Sequence, residues 1–267
     1  MIQSKNQNYL ANLPAYLKEA IRFDEGYFSI PLAESREDFA SIRESFSQRD
    51  LPVSFDQAPG LLNQPKIFWV RQSLIDPLLR AATQLKNKSL RLHFFSAYRP
   101  LEEQKKLFET SVRKTIQEFP QVDKETCLKI AGVYVACNPA TAAHVSGAAV
   151  DVGLRTLSGN FLDLGANYLD SGPCVATDSS QISFRARENR NLLAEIMNSV
   201  GFVNYPFEFW HFCFGDRIAT FIQKKPRAFF GSVVFDSQKG IIKFLTNKEQ
   251  KKCFAVNHLF FKERKKK

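Results

Sequence analysis

Two short stretches of the sequence combine histidine with acidic residues in otherwise apolar surroundings. His144 and Asp151 enclose the run Val-Ser-Gly-Ala-Ala-Val, and Glu208 and His211 lie within the aromatic run Phe-Glu-Phe-Trp-His-Phe-Cys-Phe. A buried carboxylate is costly unless a partner satisfies it, and a metal ion would satisfy both the aspartate and the histidine. A hydrogen-bonded His144–Asp151 pair that stabilises a turn explains the first stretch equally well.

The two stretches together contain the ligand set of a catalytic zinc site. Two imidazoles and one carboxylate leave zinc a fourth position for water, and a carboxylate that does not bind the metal can accept a proton from that water. We therefore predict that His144, Asp151 and His211 hold one Zn²⁺ per chain, with Glu208 as the general base. Cys213 is a candidate thiolate ligand, but a small apolar side chain in an aromatic strand explains it better.

A third motif, Ser96-Ala97-Tyr98-Arg99-Pro100, follows a predicted strand and precedes a predicted helix. An arginine held at this point could face the metal and stabilise the oxyanion of a tetrahedral intermediate. An Arg-Pro pair is weak evidence by itself, because most such arginines lie on the surface. Its significance depends on the two other motifs.

The three motifs occur in the order found in zinc D-Ala-D-Ala metallopeptidases. Over roughly Lys66 to Gly231 the sequence resembles the D-alanyl-D-alanine dipeptidases of the vancomycin-resistance type. The resemblance implies the same zinc ligands and base as above, and it implies that Arg99 stabilises the transition state. It also implies an α+β fold in which helices flank a central antiparallel sheet in a single domain, as in Hedgehog-type proteins.

Two positions depart from the family pattern and bear on the substrate. The family usually has serine two residues before the first histidine ligand, where it helps to hold the substrate carboxylate, and here that residue is Ala142. The dipeptidases also place an aspartate in the following loop to bind the free amine of the substrate. Asp170 matches that aspartate with a displacement of about one position, and it is the predicted substrate-binding residue.

The resemblance implies zinc-dependent hydrolysis of the D-Ala-D-Ala dipeptide in peptidoglycan metabolism, with a small peptide as the substrate. One alternative is a D,D-carboxypeptidase, or another cell-wall peptidase of the family, that acts on longer stem peptides. The other is a catalytically silent zinc-binding module. Retention of both Glu208 and Arg99 argues against the silent module, because a structural zinc site needs neither residue.

Hydrophobic periodicity and turn residues predict a mixture of helices and strands without a regular βαβ order, which favours the α+β class. A long functional loop is predicted at 155–180 and a C-terminal hairpin at 232–245. The predicted helices are Ser73–Leu85, Pro100–Phe119, Thr126–Ala136 and Arg187–Val200, and the predicted strands are Leu90–Phe95, Ala148–Leu154 and Phe207–Phe214. We expect an N-terminal segment (1–65) packed on the catalytic domain, a zinc peptidase core (66–231), and an appendix with a basic tail (232–267).

Composition restricts the class of protein further. The chain has 267 residues, 44% of them hydrophobic, and no run long enough to span a bilayer. Of the net charge of +10, the tail Lys262–Lys267 contributes five basic residues and one acidic residue, and the other charges form no basic stripe. Nucleic-acid binding is therefore not expected.

Two features of the sequence predict a cytoplasmic location. The chain contains five cysteines without a C-x-x-C pair, and Met1–Asn12 shows no signal sequence. The oligomeric state is not predicted.

Overall fold

A computed structural model of the protein describes residues 13–136, 142–246 and 248–249. Short 3₁₀ turns cover Gln72–Leu74, Ala143–Ser146 and Pro173–Val175. The helices and strands in chain order are α1 (Ala15–Phe28), β1 (Phe39–Ser41), α2 (Ile42–Ser47), β2 (Val53–Phe55), β3 (Trp69–Arg71), α3 (Ile75–Lys86), β4 (Leu90–Ser96), α4 (Leu101–Glu118), α5 (Lys124–Tyr134), β5 (Ala149–Thr156), α6 (Phe184–Ser199), β6 (Val203–Asn204), β7 (His211–Cys213), α7 (Arg217–Ile222), β8 (Val233–Asp236) and β9 (Ile241–Phe244).

Five strands form the central sheet in the order β2-β4-β5-β7-β6. The three pairings from β4 to β6 are antiparallel, and β2 joins the edge parallel to β4. A parallel neighbour needs a crossover connection, which here contains β3 and α3. The predicted α+β class with a central sheet flanked by helices is confirmed, and the parallel edge strand is an addition to the predicted antiparallel sheet.

One face of this sheet is covered by α3 and α6. Leu78 and Leu85 of α3 pack with Leu193 of α6 against Val150 and Val152 of β5, and all five side chains are buried. Side chains alternate between the faces of a strand, so those of Ala149 and Asp151 point to the opposite face. The helix-covered face therefore forms the main core, and Asp151 lies on the other face.

Helices α1 and α7 reach the second face, where Tyr27 and Ile218 share a buried cluster with Ala149 of β5. Leu17 of α1, Phe108 of α4 and Ile130 of α5 share a separate buried cluster. Phe23 of α1 makes edge-to-face contacts with Tyr205, which precedes β7. The N-terminal helix is thereby packed against the segment that leads into His211.

The C-terminal hairpin β8–β9 was predicted and is present. Val233 and Phe235 of this hairpin are buried against Phe39 of β1 and Tyr98. The proposed limits 1–65, 66–231 and 232–267 stay a prediction. Met1–Asn12 and the tail Lys262–Lys267 lie outside the described residues. None of the helices in the described ranges is long and apolar enough to cross a membrane.

The predicted strand Phe207–Phe214 is wrong over its first half. Only His211–Cys213 forms a strand, and the preceding residues form turns. The amide of Glu208 donates to the carbonyl of Tyr205 at 3.1 Å, and the amide of His211 donates to that of Glu208 at 3.2 Å. Phe209 and Trp210 are buried with Leu164. The aromatic density therefore reflects packing of a turn against the long loop.

Candidate metal centre

The turn between His144 and β5 depends on Gly147. Its φ is 70°, in the left-handed region, and a Cβ built there would lie 2.2 Å from Cζ of the buried Phe39 ring. Arg71 holds this turn in place, because its Nε donates to the carbonyl of Ser146 at 2.7 Å and its amide donates to that of Gly147 at 2.9 Å. The turn places His144 beside the first half of β5.

The three predicted ligands converge at the start of β5 and β7. Asp151 pairs directly with His211 across the sheet, and all three side chains are buried. Nε2 of His144 lies 3.1 Å from Oδ1 of Asp151 and 3.1 Å from Nδ1 of His211, and that Nδ1 lies 2.9 Å from the same Oδ1. Three ligand atoms therefore face one point.

This arrangement suits a zinc ion. Zinc bonds of about 2.0–2.2 Å to nitrogen and carboxylate oxygen separate tetrahedral ligand atoms by roughly 3.3 Å, which is close to the separations within the cluster. Within the described part of the chain, these three residues are the group that could hold a metal ion. The donor set of two imidazoles and one carboxylate fits zinc with one coordination position left for water.

In each imidazole, the nitrogen that faces away from the cluster has a partner of its own. Nδ1 of His144 donates to the carbonyl of Ala97 at 2.7 Å, so Nε2 faces the cluster without a proton. Nε2 of His211 lies 3.3 Å from Sγ of Cys213. Cys213 therefore contacts the side of His211 that is turned away from the cluster, in line with the interpretation that its thiol is not a ligand.

Burial and mutual contact shift the pKa values of the three ligands. Burial lowers the pKa of His144 to about 4. Burial alone would raise the pKa of Asp151, but its contacts with His144 and His211 hold that pKa well below its ordinary value. Burial would lower the pKa of His211, yet the hydrogen bond to Asp151 raises it. A carboxylate anion and a neutral His144 are the forms that bind metal.

Glu208 stands beside the cluster without belonging to it. Its side chain is partly buried and lines the same cavity as the three ligands. Burial raises the pKa of Glu208 to about 8. The turn that follows Tyr205 brings it there, since a continuous strand would place residues 208 and 211 on opposite faces. With this pKa the carboxyl holds a proton at pH 7, and a cation bound at the adjacent cluster would lower the pKa and free the carboxylate to act as a general base.

Arg99 approaches the cluster from the end of β4. Its amide donates to the carbonyl of His144 at 3.2 Å. Its Nη1 donates to Oε1 of Gln104 at 2.9 Å, and its Nη2 lies 3.8 Å from Oδ2 of Asp151. The guanidinium therefore lines the cavity in a fixed orientation, where it can stabilise negative charge that develops on a substrate oxygen.

The cavity that contains these groups is small, with a volume of about 90 Å³. Ala142, the position where the family pattern has serine, lines it and presents no hydroxyl. Leu169 also lines it. Asp170 is exposed, and its Oδ2 accepts a hydrogen bond from the amide of Asn167 at 2.7 Å. The structure thus brings together five of the six predicted site residues, and Asp170 lies apart from them.

Two tyrosines near the cluster were not predicted. Tyr168 donates its hydroxyl proton to Oδ2 of Asp151 at 2.8 Å. Tyr205 lines the cavity, and its hydroxyl donates to Oδ1 of Asp24 in α1 at 3.0 Å. No pattern in the sequence marks either one, because each is an isolated aromatic residue whose partner is distant along the chain.

Comparison with known proteins identifies the family. Residues 58–230 match the family described as D-ala-D-ala dipeptidase. A D-alanyl-D-alanine dipeptidase of Escherichia coli is 29% identical over 143 residues, which are 54% of this chain and 65% of that protein. The chain therefore spans less than two thirds of the length of this curated relative.

Two solved structures are similar at lower identity. The vancomycin-resistance D,D-pentapeptidase VanY in complex with Zn(II) is 17% identical, with 63% of this chain and 88% of that chain covered and a TM-score of 0.39. The LD-carboxypeptidase LdcB is 16% identical, with 73% and 81% covered and a TM-score of 0.43. The match over residues 58–230, which is more than half of the sequence, shows that this chain belongs to the D-Ala-D-Ala dipeptidase family.

Proposed function

We propose that this protein is a zinc metallopeptidase that hydrolyses the peptide bond of a D-Ala-D-Ala unit. The observation that carries the proposal is the convergence of His144, Asp151 and His211 in one cavity with Glu208 and Arg99. Family membership supports the class of reaction, and the donor set supports zinc. The VanY relative was solved with Zn(II), and the related VanYB was solved with D-Ala-D-Ala.

Glu208 and Arg99 have separate tasks in this reaction. Bound zinc supplies a Lewis acid and lowers the pKa of water towards neutrality. Glu208 accepts the proton from the attacking water, holds it on its carboxylate and delivers it to the leaving amine. Arg99 places its guanidinium against the developing oxyanion. Burial of the cavity strengthens the electrostatic contributions of zinc and of Arg99, because water screens charges less there.

The catalytically silent alternative is not favoured by the geometry. A structural zinc site is closed by four protein ligands, whereas the cluster offers three. Glu208 and Arg99 line the cavity without belonging to that group. A partly buried carboxylate and a guanidinium directed at a metal site serve no purpose in a module that only binds zinc.

The first candidate substrate is the free D-Ala-D-Ala dipeptide. The family description supports it, and a dipeptidase needs an acidic side chain close to the metal for the ammonium of the substrate. Asp170 is the predicted residue for this task. To serve in it, the carboxylate would have to leave the amide of Asn167 and turn towards the cavity.

The second candidate is a longer peptide that ends in D-Ala-D-Ala, as for a D,D-carboxypeptidase. The orientation of the loop favours it, because Leu169 lines the cavity where the dipeptidase pattern calls for an acid. Among the described residues, Asp151 and Glu208 are the acidic side chains that line the cavity. Asp151 serves as a metal ligand and Glu208 as the general base. No third carboxylate there is left for an ammonium group.

Substrate length is tested with three compounds. Zinc-loaded wild-type protein is incubated with D-Ala-D-Ala, N-acetyl-D-Ala-D-Ala and a stem pentapeptide, and the products are identified by mass spectrometry. Cleavage of the free dipeptide alone supports the dipeptidase. Cleavage of the blocked or longer peptides at an equal or higher kcat/KM supports the carboxypeptidase. Release of D-alanine from none of the three contradicts the proposed reaction.

Asp170→Asn sharpens this test, because asparagine can still accept the hydrogen bond from the Asn167 amide but carries no charge. If Asp170 binds the ammonium, the variant loses activity on D-Ala-D-Ala far more than on the N-acetyl compound. If Asp170 only holds the turn, both rates stay close to those of the wild type.

The cytoplasmic location and the three-part division of the chain stay predictions.

A further inference from the structure

The two carboxylate oxygens of Asp151 have separate partners. Oδ1 lies within 3.1 Å of ligand nitrogens on His144 and His211, so it is the oxygen that faces the metal position. Oδ2 accepts a hydrogen bond from the hydroxyl of Tyr168 at 2.8 Å and lies 3.8 Å from Nη2 of Arg99. A carboxylate with this division of contacts offers one oxygen to the cluster.

Tyr168 is held in place by two aromatic contacts. The ring stacks on Phe95 with centroids 4.5 Å apart and planes 6° apart. Its edge contacts Trp210, the residue before His211, at a centroid distance of 5.5 Å. Phe95 precedes Ser96, and Trp210 precedes His211. Because Ser96 and His211 are the residues that pair with Asp151 in the sheet, the Tyr168 hydroxyl has a fixed position relative to Asp151.

The loop that carries Tyr168 is itself anchored. The guanidinium of Arg190 in α6 is buried and donates to the carbonyls of Leu164 at 2.6 Å, Ala176 at 2.6 Å and Cys174 at 2.9 Å. Asp170 closes the turn that starts at Asn167, within which Tyr168 lies. The contact between Tyr168 and Asp151 is therefore built by several elements and is not a chance approach of a surface side chain.

We propose that Tyr168 is a positioning residue for the metal centre, whose hydroxyl holds Oδ2 of Asp151 so that Oδ1 alone is presented to zinc. This inference rests on the proposed zinc site. Hydrogen bonds to a ligating carboxylate orient it, and their loss typically lowers metal affinity or activity roughly 10–100-fold. Tyr168 also precedes Leu169, so the same residue links the metal centre to the loop that lines the substrate cavity.

The test is Tyr168→Phe, which removes the hydroxyl and keeps the ring. Zinc affinity is measured by competition with a chromophoric chelator, and the absorption spectrum of the Co(II)-substituted protein reports the coordination of the metal. We expect zinc affinity to fall roughly 10–100-fold. We also expect the Co(II) spectrum to change, while the Tm measured in excess chelator stays close to that of the wild type.

Two control variants separate this role from packing. Tyr16→Phe removes a part-buried hydroxyl that contacts Tyr134 at 3.1 Å, and it should leave zinc affinity unchanged. Phe95→Leu removes the stacked ring and keeps the Tyr168 hydroxyl, so it should lower the Tm more than the zinc affinity. Equal losses of zinc affinity in Phe95→Leu and Tyr168→Phe would assign the effect to loop packing and overturn the proposal.

Three further outcomes are decisive. Wild-type zinc affinity together with an unchanged Co(II) spectrum in Tyr168→Phe overturns the role of Tyr168 and leaves the metallopeptidase proposal intact. A Tyr168→Phe chain that is unfolded before metal is added also overturns it, because the hydroxyl would then serve the fold. A wild-type chain that binds no zinc contradicts the metallopeptidase proposal itself.

Discussion

The cavity has two walls that are held in different ways. One wall consists of the metal ligands: sheet pairing places two of them, since Asp151 pairs with Ser96 of β4 and with His211 of β7, and the turn before β5 places His144. The other wall belongs to the long loop between β5 and α6. Leu169 on this loop is 64% exposed and has a φ of 70°, an uncommon value for a residue other than glycine.

This difference separates the chemistry of the site from its specificity. A shift of one residue in a sheet would turn Asp151 to the opposite face, where α3 and α6 pack, so the hydrophobic core enforces the position of the ligand. Within the loop, Tyr168 contacts Asp151, whereas the side chains of Leu169 and Asp170 are exposed, so substitutions at positions 169 and 170 leave the core and the Tyr168 contact in place. Metal binding is therefore tied to the fold, and substrate preference can change by substitution at these two positions.

The largest expected effect concerns the wall that consists of the metal ligands. His144→Ala and His211→Ala should each remove an imidazole ligand and reduce the zinc content from one ion per chain towards zero, as measured by metal analysis after reconstitution. His93→Ala is the matched control, because His93 on β4 is also buried but hydrogen-bonds Ser54 at 3.0 Å outside the cluster. Full zinc occupancy in the double variant of His144 and His211 would contradict the assigned site.

Glu208→Ala should separate binding from catalysis. The variant keeps all three ligands, so we expect one zinc per chain and a loss of hydrolysis of roughly 10²–10⁴-fold. Parallel measurements of zinc content and kcat on the best substrate check this. If zinc binding disappeared with Glu208, the carboxylate would be a ligand and the roles in the cavity would have to be reassigned.

Arg99→Ala should have a smaller catalytic effect. Removal of one donor to the oxyanion costs roughly 10²–10³-fold in kcat. Zinc content should stay at one per chain, since Nη2 lies 3.8 Å from Asp151 and Tyr168 still contacts the same oxygen. A normal kcat with only a raised KM would assign Arg99 to ground-state binding.

The smallest expected effect on the site comes from α1, where Asp24 affects the pH dependence of stability and is not part of the metal cluster. Burial raises the pKa of Asp24 from 3.8 to about 7, so the folded protein keeps a proton that the unfolded chain releases near pH 4. The free energy of unfolding should therefore fall as the pH rises from about 4 to about 7. Asp24→Asn should remove this component of the pH dependence in urea unfolding at pH 4.5 and pH 7.5. Parallel curves for the two proteins would show that Asp24 does not titrate in this range.

The predictions from sequence succeeded where local pattern and burial coincide. The α3 and α6 helices follow from apolar residues at helical spacing, such as Leu78 with Leu85. The strand β5 follows from its apolar run, in which Asp151 is the exception. The aromatic run at 207–214 was misleading, because turns and strands bury aromatic side chains equally well and only hydrogen bonding distinguishes them.

The sequence by itself identified His144, Asp151 and His211 as the candidate metal ligands, because their motifs occur in the order of the zinc D-Ala-D-Ala metallopeptidases. Burial of a histidine and an aspartate alone left a hydrogen-bonded pair as an alternative. Only the tertiary structure decided what surrounds the cluster. Tyr168 meets Asp151, which lies 17 positions earlier in the chain, and Asp170 turns to Asn167 while Leu169 lines the cavity. These contacts depend on the backbone path of a loop, which no periodicity in the chain encodes.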